Sequence, residues 1–318
     1  MKRIDKFDIT NKIQNNKILK AYGGSNGSKI AISINDQIYM IKFPPTPSKN
    51  LTMSYTNSCI SEHIGSSIFN ILNIKAQETH LFKANIKDKI KVVVACNDFT
   101  QDGFTLNEFS KIKNGCIESS KNGSGTELDE ILAAIEEQVF IDSKEMKKFF
   151  WDIFVVDAYL GNFDRHNGNW GVLVKNNIAS LAPVFDCGSC LFPQLDLTTM
   201  KKVLTNKEEM ECRIYKFPTS AIKINGKKIN YRDFLLNTND KDVLKSIIDV
   251  GERIINKQNE INTFINQIPL INDLQKEFYH TMLKNREKII IEPALNRAKT
   301  ILKENNKTRK NVDFEIEK

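Results

Sequence analysis

An apolar run, Phe149 to Leu160, empties directly into the polar stretch Gly161-Asn162-Phe163-Asp164-Arg165-His166-Asn167-Gly168-Asn169. A helix that is apolar nearly all round is a buried one, so its end delivers that stretch to a fixed place at the edge of a core. Beyond it, Trp170–Lys175 and Ile178–Ala182 alternate about Asn176-Asn177, the signature of a tight hairpin. The returning strand runs on to a second acid, Asp186. The hairpin therefore brings Asp186 back beside Asp164 and Asn169, which share one loop. A carboxylate near an attacking hydroxyl, with further oxygen ligands for Mg²⁺ on a triphosphate, is what phosphoryl transfer requires. Asp164 is the candidate base, and Asn169 and Asp186 are the candidate metal ligands. Spacing to Asn169 favours Asp164 over His166 as the base, with His166 as a strut beside the nucleotide. Asp157, on the preceding helix, reads as a structural acid.

The rest of the chain supplies the other parts of a nucleotide site. Gly23-Gly24-Ser25-Asn26-Gly27-Ser28-Lys29 lies at the mouth of a second hairpin, Lys29–Ile34 and Gln37–Phe43 across Asn35-Asp36. A turn without Cβ atoms can aim several backbone N–H groups at phosphate oxygens. Gly23, Gly24, Ser25, Asn26, Gly27 and Ser28 are thus candidate phosphate contacts, although no Walker A pattern is present. Lys42 ends the second strand among apolar residues, where its ammonium would need an anionic partner. A helix fits Asn57–Leu72, with Ile60, Ile64, Ile68 and Ile71 on one face, and carries Glu62, the candidate partner for Lys42. Two strands, Gln77–Lys83 and Ile90–Cys96, follow. The second empties into Asn97-Asp98, a hinge where backbone groups near Cys96 and Asp98 would meet adenine.

Further on, Gly115–Gly125 reads as a loop. Thr126-Glu127-Leu128-Asp129 resembles a capping box ahead of a helix with Ile131, Leu132, Ile135 and Val139 on one face. Ser143 is the expected cap of the apolar helix. Ala221–Ile224 and Lys227–Tyr231 suggest a hairpin across Asn225-Gly226, and residues 241–305 are helical with breaks at Pro269 and Pro293.

The net charge is +7, from 46 basic and 39 acidic residues, with the excess spread along the chain. Such a surface suits a nucleotide or phosphorylated partner, and no helix-turn-helix or zinc-finger pattern supports specific DNA binding. No apolar run approaches the ~20 residues of a membrane span. Neither a Sec-type signal segment nor a disulfide framework is visible, so a reducing, cytoplasmic setting is the expectation from composition. Of the six cysteines, Cys187-Gly188-Ser189-Cys190 form a CxxC without a second pair, and incidental thiols are expected there.

Together the glycine loop, Ile41-Lys42-Phe43-Pro44, Ser61-Glu62, Gly161–Asn169 and Pro183-Val184-Phe185-Asp186 resemble the HipA-like serine/threonine kinases, most of all their compact secreted members of the CtkA type. The resemblance covers residues 22–190. It implies a two-lobed α+β protein-kinase-like fold, with a β-rich lobe over residues 1–98 and a mainly helical lobe over 99–318. It also implies ATP and Mg²⁺ as cofactors and a protein substrate phosphorylated on Ser or Thr. Autophosphorylation, with Tyr22, Ser25 and Ser28 as candidate acceptors, and secretion with entry into host cells are implied as well. Toxin-type HipA proteins carry an extra domain ahead of the glycine loop, which this sequence reaches by Tyr22, so a DNA-tethered partnership is not expected.

Asp164–Asn169 and Asp186-Cys187-Gly188 also look like elements of phosphatidylinositol kinases, which keeps a lipid or small-molecule kinase open as an alternative. Against it, Gly188–Thr199 contains no lysine or arginine. A nucleotide-binding pseudokinase or docking protein is the other alternative, and intact Asp164, Asn169 and Asp186 argue against that one.

Overall fold

A computed structural model describes residues 7–15, 28–45, 55–118 and 121–316, with side chains described as far as residue 304. The glycine loop through Gly27, with Tyr22 and Ser25, lies outside the described residues. A short helix α1 (Thr10–Asn15) precedes a four-stranded antiparallel sheet of β1 (Lys29–Ile34), β2 (Gln37–Lys42), β3 (Thr79–Ile86) and β4 (Lys89–Asn97), in the order β1-β2-β4-β3. Asn35 and Asp36 both adopt positive φ in the β1–β2 turn, the conformation a two-residue hairpin demands. Strand parity divides the sheet. Tyr39 and Ile41 of β2 join Val93 and Ala95 of β4 and Ile9 in a small outer core. Met40 and Lys42 point the other way, as do Val94 and Cys96, which join the main core. That face is covered by α2 (Ser58–Ile71), whose Ile60, Ile64 and Ile68 are buried at helical spacing.

The remainder is mainly helical. A small sheet, β5 (Thr105–Glu108), β6 (Gly171–Lys175) and β7 (Ile178–Leu181), is followed in space by α3 (Phe109–Cys116) and α4 (Leu128–Glu137). Its β6–β7 turn again uses positive φ at Asn176 and Asn177. The apolar run is α5 (Ser143–Leu160), buried continuously from Phe150 to Leu160. Each large apolar side chain buried there, such as Phe154 or Leu160, contributes about 1.5–3 kcal/mol. Gly161 ends α5 in the left-handed conformation, with its N–H on the Asp157 carbonyl. Buried Arg286 donates to the Ala158 carbonyl from Nε (3.0 Å) and Nη2 (2.7 Å), satisfying an end that no water reaches.

Then come α6 (Leu197–Thr205), α7 (Lys207–Glu211), the hairpin of β8 (Lys223–Ile224) and β9 (Lys227–Lys228), and α8 (Tyr231–Asn237). The last four helices are α9 (Lys241–Asn256), α10 (Gln258–Gln267), α11 (Asp273–Arg286) and α12 (Glu292–Ile316). No described helix is long and apolar enough to cross a membrane.

Several local expectations are corrected. Asp142, not Ser143, caps α5, accepting from the N–H groups of Lys144 and Glu145. Thr126 forms no capping box, because its hydroxyl donates to the Ala221 carbonyl instead (2.8 Å). With α4 ended at Glu137, Val139 is 92% exposed rather than on the buried face. The Asn225-Gly226 hairpin is shorter than the pattern suggested, because Tyr231 already belongs to a helix. Pro293 does not break the chain: a π-helical turn, Glu287–Ile291, leads straight into α12, where proline in the first turn leaves no helical bond unmade.

Candidate active site

The two halves meet in a cleft of about 1070 Å³, lined by Lys42, Glu62, Asp98, Asp164, His166, Asn169 and Asp186 among others. Lys42 reaches the cleft because it is the last residue of β2 and follows the parity of Met40. Its Nζ lies 2.9 Å from Glu62 Oε2 and 2.9 Å from Asp186 Oδ1. Burial alone would push this ammonium down, but the carboxylates of Asp186 and Glu62 more than reverse that and hold it well above its ordinary value. Glu62 is 1% exposed. Its second oxygen accepts the Cys187 N–H at 3.1 Å, so one carboxylate ties α2 to both β2 and the Asp186 turn.

Asp186 sits at positive φ. The neighbouring Lys42 charge is the main influence on its carboxyl, which falls to about 2 despite burial. Its side chain still presents 41% of its surface to the cleft. Asn169 is nearly buried, and its Nδ2 donates to the Asp164 carbonyl (2.8 Å), which leaves Oδ1 as the atom for a ligand. Asp164 is half-buried. Burial raises its carboxyl, His166 draws it down and Asp186 pushes it up, with a net shift above the usual carboxylate range. Exposed His166 lines the same cleft and accepts the Gly168 N–H on Nδ1 (3.0 Å).

The loop carrying Asp164 is held from below by Arg165. Its Nε donates to Asp157 Oδ2 (2.9 Å) and its Nη1 to the carbonyls of Asn169 (2.9 Å) and Phe185, while Nη2 reaches Asp157 Oδ1 (3.3 Å). A single planar guanidinium thus joins α5, the loop and the segment before Asp186. Burial pushes Asp157 up, and Arg165 with the Asn162 amide pulls against it. Asp157 is therefore a buried anchor away from the cleft, and Arg165 is a brace with no freedom to capture a phosphate. Tyr231 completes the frame by donating to the Asn162 carbonyl (2.6 Å). Asn167 donates to the carbonyls of Gly123 and Gly125, so the Gly115–Gly125 stretch begins inside α3 and ends pinned under the loop.

Of the residues singled out from sequence, Lys42, Glu62, Asp98, Asp164, His166, Asn169 and Asp186 share the cleft wall. Ser28 is described and exposed at the start of β1, its carbonyl accepting the Phe43 N–H. Gly23, Gly24, Ser25, Asn26 and Gly27 lie outside the described residues. Cys96 is not on the wall: it shares the sheet face of Met40 and Val94 but is fully buried in the main core, where burial drives its thiol well up. The hinge is also more self-contained than expected. The Asp98 N–H bonds the Ile38 carbonyl and the Asp98 carboxylate holds Thr100, so adenine would meet this turn beyond Asp98. The bracing roles of Tyr231 and Arg286 have no local sequence signal, because each acts through contacts remote in the chain.

All six cysteines are free thiols. Among the described residues no three His, Cys, Asp or Glu side chains converge as a self-sufficient metal site.

No family model matches the chain. It is 49% identical over 282 residues to the serine/threonine-protein kinase CtkA of Helicobacter pylori, a span that covers 88% of this chain and 85% of that protein. The crystal structure of a Helicobacter pylori proinflammatory kinase CtkA aligns with a TM-score of 0.84 at 45% identity, covering 92% of this chain and 98% of the other. HipA from Shewanella oneidensis, solved with HipB and operator DNA, aligns over 90% of this chain and 71% of its own with a TM-score of 0.52, a likeness of fold at 12% identity. The chain belongs to the CtkA serine/threonine-protein kinases, built on a HipA-like kinase fold.

Proposed function

We propose that this kinase uses Mg·ATP to phosphorylate serine or threonine in a protein, with Asp164 as the base. The observation that carries the reading is the cluster of Lys42, Glu62, Asp164, Asn169 and Asp186 on one cleft wall, with Lys42 bonded to both Glu62 and Asp186. Apolar groups from Met40, Val94, Phe99, Leu106 and Phe185 offer the adenine a dry slot, and Phe99 and Phe185 already pack at 5.7 Å. Lys42 neutralises the α- and β-phosphates, and Glu62 holds it in place. Asp164 accepts the proton as the acceptor oxygen bonds to the γ-phosphorus and the bond to ADP breaks. Its raised proton affinity makes it a better base than an ordinary aspartate.

The donor set suits Mg²⁺. Asn169 Oδ1 and the ionised Asp186 are hard oxygen donors, and Mg²⁺ typically takes only one or two protein ligands alongside phosphates and water. When bound, the ion would supply positive charge against the charge that develops on the phosphates. The first 98 residues then form the nucleotide-covering lobe and residues 99–318 the lobe that carries the base and the acceptor.

Self-phosphorylation follows where a hydroxyl of the chain itself enters the cleft, with Ser28 exposed at the start of β1. Secretion and action on host cells fit the description of the Helicobacter protein as proinflammatory. The deciding experiment incubates the pure chain with radiolabelled ATP, Mg²⁺ and casein, alongside Asp164→Asn. Label on serine or threonine in wild type, lost in the variant, supports the reading. Label at equal rate in both removes Asp164 from the chemistry.

A further inference from the structure

A γ-phosphoryl group in transfer spreads negative charge over its equatorial oxygens, and a cation placed there lowers the barrier. The cleft already holds Glu62, Asp98, Glu108, Asp164 and Asp186, so positive charge is the scarcer quantity. Among the described residues on its wall, the lysines are Lys29, Lys42 and Lys228. Lys42 lies deep and is committed to Glu62 and Asp186. Lys29 opens β1 on the same sheet. Arg165 is buried and fully engaged below the loop. The side of the cleft that carries Asp164 therefore has one flexible ammonium, on Lys228.

Its position is built. Asn225 and Gly226 make a tight turn with positive φ. The Gly226 N–H donates to Glu127 Oε2 (3.2 Å), and the Lys223 N–H to the Thr126 carbonyl (2.8 Å). At its base, the Ser220 and Ile229 N–H groups bond the Ile229 and Ile222 carbonyls. The backbone is thus fixed while the Lys228 ammonium makes no hydrogen bond or ion pair with any described residue. It is near enough to Asp164 to act on the charge of that carboxylate, though burial and His166 act on it more strongly.

We propose that Lys228 binds the γ-phosphoryl group as it passes from nucleotide to acceptor hydroxyl, a catalytic cation delivered by the β8–β9 hairpin. This rests on the kinase reading above. An acceptor hydroxyl beside Asp164 places the reacting phosphorus about 3–3.5 Å from the attacking oxygen, within the part of the cleft that Lys228 lines. The contact matters most in the transition state, where the transferring group carries its charge on exposed oxygens.

The test compares Lys228→Met, Lys228→Arg and Lys227→Met in the full chain, with casein as acceptor, and measures kcat, KM for ATP and ADP affinity separately. Lys227 is exposed on the same hairpin and absent from the cleft wall, so it reports on the hairpin alone. The expected result is a kcat about 10- to 100-fold lower in Lys228→Met, with KM and ADP affinity within about twofold of wild type. Lys228→Arg should recover most of the loss, and Lys227→Met should match wild type. A Lys228→Met kcat within twofold of wild type, an equal loss in Lys227→Met, or a defect confined to KM overturns the proposal. Absence of any phosphate transfer from Mg·ATP by the wild-type chain would instead show that the kinase reading itself fails.

Discussion

Lys42 Nζ lies 2.9 Å from Asp186 Oδ1, a bond between residues 144 apart in sequence. It joins the last residue of β2 to the turn after β7, and Glu62 locks it from α2. The cleft is thereby organised by charge before any ligand contributes. Lys42→Met removes the ammonium bonded to Glu62, and stranding a buried carboxylate costs on the order of 3 kcal/mol. Nucleotide affinity should fall with and without Mg²⁺. Asp186→Asn should instead lose mainly the Mg²⁺-dependent part of that affinity. Denaturant melts and nucleotide titrations in Mg²⁺ and in EDTA check both. Unchanged ATP affinity in both variants would dissolve the proposed phosphate site.

Asp164→Asn keeps the shape of the side chain and removes its capacity to take a proton. The loop stays braced through Arg165 and through the Asp164 carbonyl, which is a backbone group. Turnover should drop by about 10²–10⁴, while ATP affinity and melting temperature stay near wild type. Single-turnover transfer measured beside a thermal melt separates loss of chemistry from loss of fold.

Arg165→Lys tests the brace. A lysine retains the charge but cannot serve Asp157 and the Asn169 and Phe185 carbonyls together from one plane. The expected cost is about 3 kcal/mol of stability, with weaker Mg²⁺-dependent nucleotide binding, because the segments bearing Asn169 and Asp186 lose their common anchor. A variant with normal stability and metal dependence would confine Arg165 to a passive role.

What could be read from sequence was what is local or periodic. Strand parity put Lys42 on the inner face, helical spacing brought Glu62 into range, and the Asn176-Asn177 turn returned Asp186 to Asp164. Capping was less legible: Asp142 and Ser143 are adjacent and both competent, and only geometry selects Asp142. Cys96 lies on the same sheet face as Lys42 and Val94 but is fully buried in the main core, and a hinge residue and the last core residue of a strand look alike in sequence. The hairpin bearing Lys228 was legible in Asn225-Gly226, but its docking on Thr126 and Glu127 depends on contacts between distant segments, which no local pattern encodes.

His63 gives a pH signature independent of catalysis. It lies on α2, packed at 5.5 Å from the Phe264 ring with Nδ1 3.0 Å from Thr79 Oγ1. Burial pulls its imidazole from 6.5 to about 4. The folded state therefore prefers the neutral ring, and the unfolded chain takes up the proton first as pH falls. The stability present above pH 6.5 should be lost progressively down to pH 4, by about 2 kcal/mol between pH 7 and 5. Urea melts of wild type and His63→Gln check this: the difference between them should shrink on acidification. Parallel pH dependences would assign the acid sensitivity elsewhere.

Gly65→Ala asks how tightly α2 is held against the metal side of the site. A Cβ at Gly65 would lie 2.7 Å from Cys187 Cβ and 3.2 Å from Cys190 Sγ. The Cys187 Cβ is bonded directly to the backbone and cannot rotate aside, so either α2 or the Cys187 turn must shift. One carries Glu62 and the other follows Asp186, whose separation from each other Lys42 spans. In a free helix alanine would be favoured over glycine by about 1 kcal/mol, so a stabilising result would mean that the helix slides away at no cost. Overpacking of this kind instead costs about 1–3 kcal/mol. The expected outcome is a net loss of stability together with a lower kcat, as Glu62 and Asp186 no longer meet Lys42 at the same time. A thermal melt and a phosphotransfer assay on the one variant read both, and a more stable, fully active Gly65→Ala would refute the tight contact.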